Sequence, residues 1–583
     1  MAHSWKPLFL ASLVRQRRRL RSSEAAFILL AAITGLGAGF LTLVLQILAH
    51  GIQRLLYGVT INRLSALGAI HHPWKLLALP AGGLALVLLA RGLHRRKRPP
   101  VDVVEANALH GGRIPMTDNL VISAQTVLSN GAGASVGLEA AYAQMGGGLA
   151  SLLGQWLTLR RNDLRTLVGA GAGAAIGAAF GAPLTGAFYA FEIVIGNYTP
   201  AAIAPVMAAA LSGVFVTRLL GMAPYLIATS ADRIFLITDY IAYAGLGLLC
   251  ALMGIAIMRL VTFAEQRVQS FTAIARWRPM VGGMLLMPIA FLSPQVLSAG
   301  HGALHLDLLL HPTLTVLNVL LLLKIAASVI SLGFGFRGGL FFASLFLGSL
   351  VGQIFAGLVD MAPLGLALAP GDAALVGMAA LSVSVVGGPM TLAILMLETT
   401  HDFALMGVVL TATLISSAFT REVFGYSFST WRLHLRGANV RSPRDIGWML
   451  KLNAARVMRK DWAALRDDVS VAEFRARIPL GSTSKTVITD VAGHYRGIVT
   501  TASAYRPELA ENVPITKIAT QHDVVLPPDA GIEQMLRLFD EASVDEIAVV
   551  DHLGKVVGVV TEKHARRRYF EELEAAQRAI FRE

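Results

Sequence analysis

The sequence predicts an all-α polytopic membrane domain with an internal, inverted repeat and broken or tilted helices, followed by a cytosolic α/β domain. Three observations carry this fold class. A mean hydropathy of +0.60 with only 15% charged residues is too apolar for a soluble chain of 583 residues. Apolar stretches recur from about Ser23 to about Thr420, and 166–191 holds no charged residue at all. After Arg436 the composition turns charged, with short strand-like apolar runs and amphipathic helices through to Glu583.

Taken in order, residues 1–23 form a basic cytosolic N-terminus. The apolar segment at 24–50 follows VRQRRRLRSS, which superficially resembles a secretory leader. It is too long and lacks a small-residue cleavage site, so it reads as a retained membrane helix. The net charge of +13 is densest at Arg15–Arg21 and in RGLHRRKRPP (91–100). Both clusters are expected on the cytoplasmic side as topology determinants, not as a nucleic-acid site. The single cysteine, Cys250, excludes an intrachain disulfide and argues against a cysteine-based metal site.

The membrane part, 24–436, repeats itself. GAPLTGAFYAFE (181–192) and GGPMTLAILMLE (387–398) share Gly, Pro, Thr, Ala and Glu at the same offsets. GLEAAYAQMG (137–146) and GLFFASLFLG (339–348) match upstream of them, in the same order. Glycine- or proline-interrupted segments in matching positions are a mark of transporters whose site lies at the repeat interface. Beyond a linker at 437–455, RGIVTTASAYR (496–506) and VGVVTEKHARR (557–567) share Gly-apolar-apolar-Thr ahead of helix-like segments. They suggest two copies of one small α/β unit, at 456–512 and 513–583.

Glu139 stands out within the first repeat. In the run 130–154 the only other ionisable side chain is the phenol of Tyr142. A carboxylate at membrane depth costs about 2.5–3.5 kcal/mol on insertion scales, so it marks a pathway or a partner. Gly131, Gly133 and Gly137 suit a helix break that leaves Glu139 near a new N-terminus, where backbone N–H groups attract anions. The expectation is an anion path with a titratable side chain in it.

These segments resemble the CLC family of chloride channels and proton-coupled chloride transporters, over about 25–436. GGRIP (111–115) stands where the family has Gly-Ser-Gly-Ile-Pro, GLEAA (137–141) where it has Gly-Arg/Lys-Glu-Gly-Pro, and GLFFA (339–343) where it has Gly-x-Phe-x-Pro. Tyr426 in FGYSFSTWRLHLRG is matched to the tyrosine of the last membrane helix. The tail resembles the paired CBS domains that many members carry. The resemblance implies that Glu139 is the gating glutamate, which competes with anions for the path and swings away when protonated. It assigns anion contacts to Gly112, Arg113, Ile114, Gly137, Leu138, Leu340, Phe341 and Tyr426, largely through backbone N–H groups, with chloride or another small anion as the ligand. It also implies a homodimer with one path per subunit, in a bacterial inner membrane, with the N-terminus and the CBS pair cytoplasmic.

The sequence departs from that pattern at several positions. Gly112 replaces the inner serine, and Ala141 and Ala343 replace the prolines after two motifs. The position of the internal proton-delivering glutamate is Ile193, directly after Glu192. Glu192 points about 100° away from it on a helix, and its repeat-mate Glu398 suggests a shared helix-end role. On these grounds the sequence leans to a passive pH-sensitive channel, with proton-coupled antiport by a different internal route as the alternative. In the tail, Ser503 and His564 follow Thr500 and Thr561 by three residues, where the family's ribose-binding Asp belongs. A CBS pair without that carboxylate is expected to serve as a dimerising appendage, with Thr500 and Thr561 the remaining nucleotide candidates.

Other classes fit less well. A CBS-containing divalent-cation transporter needs clustered carboxylates, whereas Glu139, Glu192 and Glu398 are isolated. No enzyme is expected, since the one cluster of interest, SAGHGALHLD (298–307), lacks an accompanying Ser or Cys motif and reads as a loop near the membrane surface.

Overall fold

The computed structural model describes residues 23–59, 64–70, 72–92, 100–222, 225–227, 234–271, 276–310, 312–363, 366–436 and 452–581. The basic cluster Arg15–Arg21, most of 91–100 and most of the 437–455 linker lie outside them. The chain forms two compact units, a membrane unit and a tail unit.

The first half of the membrane unit runs α1 (Glu24–Tyr57), α2 (Ala78–Gly92), α3 (Val103–Leu109), α4 (Met116–Gly131), α5 (Glu139–Trp156), α6 (Arg161–Phe180), α7 (Pro183–Tyr189) and α8 (Pro200–Leu219). The second runs α9 (Ile237–Ser270), α10 (Arg278–Leu292), α11 (His301–Leu310), α12 (Leu314–Gly333), α13 (Phe341–Met361), α14 (Pro370–Val386), α15 (Pro389–Thr400), α16 (Phe403–Val423) and α17 (Phe428–Leu435). Among the described residues, seven helical spans are long and apolar enough to cross a bilayer.

The repeat in the sequence is a repeat in packing. Helix α1 packs on α8 as α9 packs on α16, and α5 packs on α6 as α13 packs on α14. The last two crossings use glycine for close approach. A Cβ on Gly146 or Gly171 would run into the carbonyl oxygen of the other, and the same holds for Gly348 and Gly377.

The acids shared by the repeat are exchanged between halves. Glu398, near the end of α15, accepts from Leu184 N (2.9 Å), Thr185 N (2.7 Å) and Thr185 Oγ1 (2.7 Å) at the start of α7. Glu192, in the π-helical turn after α7, accepts from Met390 N (3.1 Å), Thr391 N (2.9 Å) and Thr391 Oγ1 (2.7 Å) at the start of α15. Each carboxylate satisfies first-turn N–H groups that have no intrahelical acceptor and sits at the positive end of the helix dipole. Reciprocal contacts of this kind are those of two copies related by a two-fold, not by translation.

The tail unit contains α18 (Ala454–Val457), β1 (Ala464–Arg466), α19 (Val471–Arg477), β2 (Lys485–Thr489), β3 (Tyr495–Thr500) and α20 (Thr501–Ala504), then β4 (Val525–Leu526), α21 (Ile532–Ala542), β5 (Glu546–Val550), β6 (Val556–Thr561) and α22 (Glu562–Phe581). The two sheets have the same design: a parallel pair, an antiparallel pair, and a register shift at Ile488/Thr489 or Val549/Val550. One boundary moves. Residues 452–457 were expected to belong to the linker and to the start of the first copy. Leu452, Ala454 and Val457 instead pack in the core of the second, and Ala454 N donates to Ala530 O at 2.9 Å.

Candidate functional site

Glu139 is the first residue of α5 and is 3% exposed. Gly137 and Gly339, from matching places in the two halves, form a reciprocal bridge, with N···O distances of 3.0 and 3.3 Å. The starts of α5 and α13 are thereby held together. Leu138 and Leu340 cap the two helices without a side-chain hydrogen bond. The Glu139 carboxylate lies in this junction. A Cβ on Gly137 would collide with its Oε2, and Oε2 is 3.8 Å from where a Cβ of Gly339 would stand. Neither carboxylate oxygen has a hydrogen-bond partner among the described residues.

Two cavities meet at this carboxylate. One, of about 150 Å³, is lined by Glu139, Tyr189, Ile193, Arg337, Phe341 and Ser429 among others. The other, of about 50 Å³, is lined by Glu139 together with polar groups from Gln53, Asn130, Tyr225, Ser298 and His301. The same side chain therefore forms a wall of both. His301 stacks on Phe342 with ring centroids 3.4 Å apart, in helix α11 and not in the surface loop expected for 298–307.

The structure brings Gly137, Leu138 and Glu139 together with Leu340 and Phe341, but it separates three assigned contacts from them. Gly112, Arg113 and Ile114 do not line the Glu139 cavity. GGRIP ends helix α3, with Gly111 and Gly112 in the left-handed region (φ 63° and 83°). Its N–H groups are already used: Gly112 N donates to Ala106 O (3.0 Å), Arg113 N to His110 O (3.3 Å) and Ile114 N to Ser151 Oγ (2.8 Å). The end of α3 that faces the cavity is its start, at Asp102, Val103 and Val104, where the Asp102 carboxylate caps Glu105 N at 2.8 Å. The missing serine hydroxyl at Gly112 therefore has no bearing on this cavity.

Tyr426 is corrected in the same way. It lines an adjoining cavity of about 320 Å³ with Glu192, and its hydroxyl meets His434 Nδ1 at 3.3 Å. Its neighbours Phe428 and Ser429 do line the Glu139 cavity, Ser429 forming a wall of both. Ile193 lines both cavities, and Glu192 beside it is held by the three bonds to α15. Sequence reasoning missed Asp102, Tyr189, Arg337 and Ser429. Arg337 carried a usable signal, being a lone charge in the apolar run FGFRGGLFF, as Glu139 was in its own.

The profile described as "Voltage gated chloride channel" matches residues 82–421, which span α5, α13 and both exchanged glutamates. The chain belongs to that family. A second profile, the CBS domain, matches 515–571. Among curated CLC relatives, the "Voltage-gated ClC-type chloride channel ClcB" of Escherichia coli O81 (strain ED1a) is 27% identical over 373 residues, 62% of this chain and 87% of that protein. Solved CLC structures share the fold. A slow cyanobacterial Cl⁻/H⁺ antiporter has a TM-score of 0.61 at 21% identity, over 70% of this chain and 97% of that one. A eukaryotic CLC transporter has a TM-score of 0.61 at 18% identity, over 92% and 97%.

The residues at the two expected ribose-contact positions of the tail make local contacts. Thr500 Oγ1 bonds Ser503 Oγ (2.9 Å), and Ser503 Oγ turns back to Thr500 O (2.7 Å), so both hydroxyls are used locally. In the second copy, His564 Nδ1 meets Arg567 at 3.1 Å, and burial followed by the charges of Arg567 and Arg568 holds His564 below the ordinary imidazole range. Neither position carries a carboxylate.

Proposed function

We propose that the protein transports small anions, with chloride as the default, along one path per subunit of a homodimer, and that Glu139 is its titratable gate. The observation that carries this reading is the Glu139 carboxylate itself: buried, unpartnered among the described residues, and a wall of two cavities at once. When charged, it occupies the place between two helix N-termini that an anion would take. Protonation removes the charge, weakens its hold there and opens the path.

Proton-coupled antiport is the form of transport we favour. Ile193 carries no proton, and Glu192 is committed to α15. The polar cavity beside Ile193 is nevertheless about 320 Å³, room for several waters at about 30 Å³ each. Water there would reach the wall of the Glu139 cavity and replace the side-chain relay. Solved neighbours of this fold include Cl⁻/H⁺ and fluoride/proton antiporters. The passive-channel reading rests on Ile193 and on relatives named as channels. In proteoliposomes, a chloride gradient that drives uphill proton movement supports antiport. Chloride flux without any proton movement establishes the channel. We place the protein in a bacterial inner membrane, with its basic N-terminus and CBS pair cytoplasmic.

A further inference from the structure

The loops leading into α5 and α13 are held by matched bonds. Ser135 N donates to Ser331 Oγ at the end of α12, and Arg337 N donates to Ser129 Oγ at the end of α4, both at 2.9 Å. At this pair of positions the side chains differ. Ser135 Oγ is 3.2 Å from Ser328 Oγ in the packed interior, whereas Arg337 lines the Glu139 cavity.

The charged neighbours of Arg337 are Asp102, Glu105, Arg432 and Arg436. The other two arginines have carboxylate partners: Arg436 is 3.8 Å from Glu105, and Arg432 is 3.4 Å from Glu265. Among the described residues, the Arg337 guanidinium has neither an ion pair within 4.0 Å nor a side-chain hydrogen bond. The Tyr189 hydroxyl, on the same cavity, likewise has no hydrogen bond among them. A cavity of about 150 Å³ thus holds a forked donor and a single hydroxyl donor, both unused, on the path Glu139 gates.

We propose that Arg337 is a selectivity station for small planar monovalent oxyanions, the class of nitrate and formate. A guanidinium presents parallel N–H donors that match two oxygens of a planar anion, whereas a spherical halide gains only from the charge. The station therefore favours oxyanions over chloride at equal charge. This inference rests on the reading of the cavity as the anion path.

The test is calorimetric titration of the full-length detergent-solubilised protein with nitrate, formate, chloride and bromide, for the wild type, Arg337→Lys and Arg337→Gln. The wild type binds nitrate and formate more tightly than either halide. Arg337→Lys keeps the charge and loses the fork, so oxyanion affinity falls about tenfold or more while halide affinity stays within about threefold. Arg337→Gln weakens both classes. A wild type that prefers halides overturns the proposal without any variant, and so does an oxyanion-to-halide ratio that Arg337→Lys leaves unchanged. Parallel flux assays separate the two readings. Oxyanion binding that depends on Arg337 without anion flux sinks the transport reading alone, whereas flux with an unchanged ratio sinks the station alone.

Discussion

Glu192 lies one residue before the position where proton-coupled relatives place a relay, yet its contacts define it as an anchor, and this can be tested quantitatively. Glu192→Ala removes the acceptor for Met390 N, Thr391 N and Thr391 Oγ1. Two first-turn N–H groups and a hydroxyl then lose a charged acceptor. Each orphaned, part-buried group costs about 1–3 kcal/mol, and shared relaxation brings the total to about 3–5 kcal/mol. Glu192→Gln keeps one oxygen and should cost about 1–2 kcal/mol. With an unfolding entropy of about 2 cal/mol/K per residue over some 400 residues, Glu192→Ala lowers the midpoint by roughly 4–6 °C. Thermal unfolding in detergent measures this, with Glu398→Ala as the symmetry-related comparison, expected to match within about 1 kcal/mol. Proton-to-anion coupling should be the same in Glu192→Gln as in the wild type. A coupling ratio that collapses in Glu192→Gln, with no loss of thermal stability, would refute the anchoring argument and make Glu192 a relay.

Three further outcomes follow from the same geometry. Tyr426→Ala should leave chloride affinity within about twofold, because Tyr426 stacks on His434 at 4.7 Å and lies off the Glu139 cavity; titration calorimetry checks this, with Ser429→Ala as the variant expected to change it. Gly137→Ala should push the Glu139 carboxylate from its seat, since the new Cβ meets Oε2; chloride flux at neutral pH then rises toward the level the wild type reaches in acid. In the tail, the hydrogen bond from Lys485 ties the two sheets' halves together and holds Asp545 below its usual range. A lowered carboxyl pKa stabilises above the unfolded value near 3.9 and loses that effect as pH falls through the lower folded value. Asp545→Asn should cost at most about 1 kcal/mol, given the exposure of this carboxyl, and the difference from wild type in denaturant unfolding should vanish in acid.

The elements that define this fold were legible because they obey local rules. Repeated Gly-Leu and Gly-x-Pro-x-Thr segments marked α5, α7, α13 and α15. The offset shared by Glu192 and Glu398 pointed to a common helix-end role, which the structure realises as an exchange between halves. Gly137, Leu138, Glu139, Leu340 and Phe341 were singled out because an apolar run isolates a charge or repeats a motif, and the structure brings these five together.

The failures are equally local. GGRIP was matched to the family's Gly-Ser-Gly-Ile-Pro, but its two glycines here make the left-handed stop of α3. Only the preceding Asp102, capping Glu105, reveals which end of α3 faces the cavity. Tyr426 was taken from its match to the family's tyrosine of the last membrane helix, yet the backbone places Ser429, three positions on, at the wall. A hydroxyl or an arginine becomes part of a site through the direction in which a distant loop turns it, and that direction is set by contacts such as Ser129 to Arg337, 208 residues apart.

The most direct test of the central claim is chloride flux from liposomes across about pH 4 to 8 for the wild type and Glu139→Gln. If Glu139 is the gate, wild-type flux rises as pH falls and Glu139→Gln runs at a high, pH-independent level that carries no protons. If Glu139→Gln keeps the pH profile of the wild type, the carboxylate between the two cavities is not the gate.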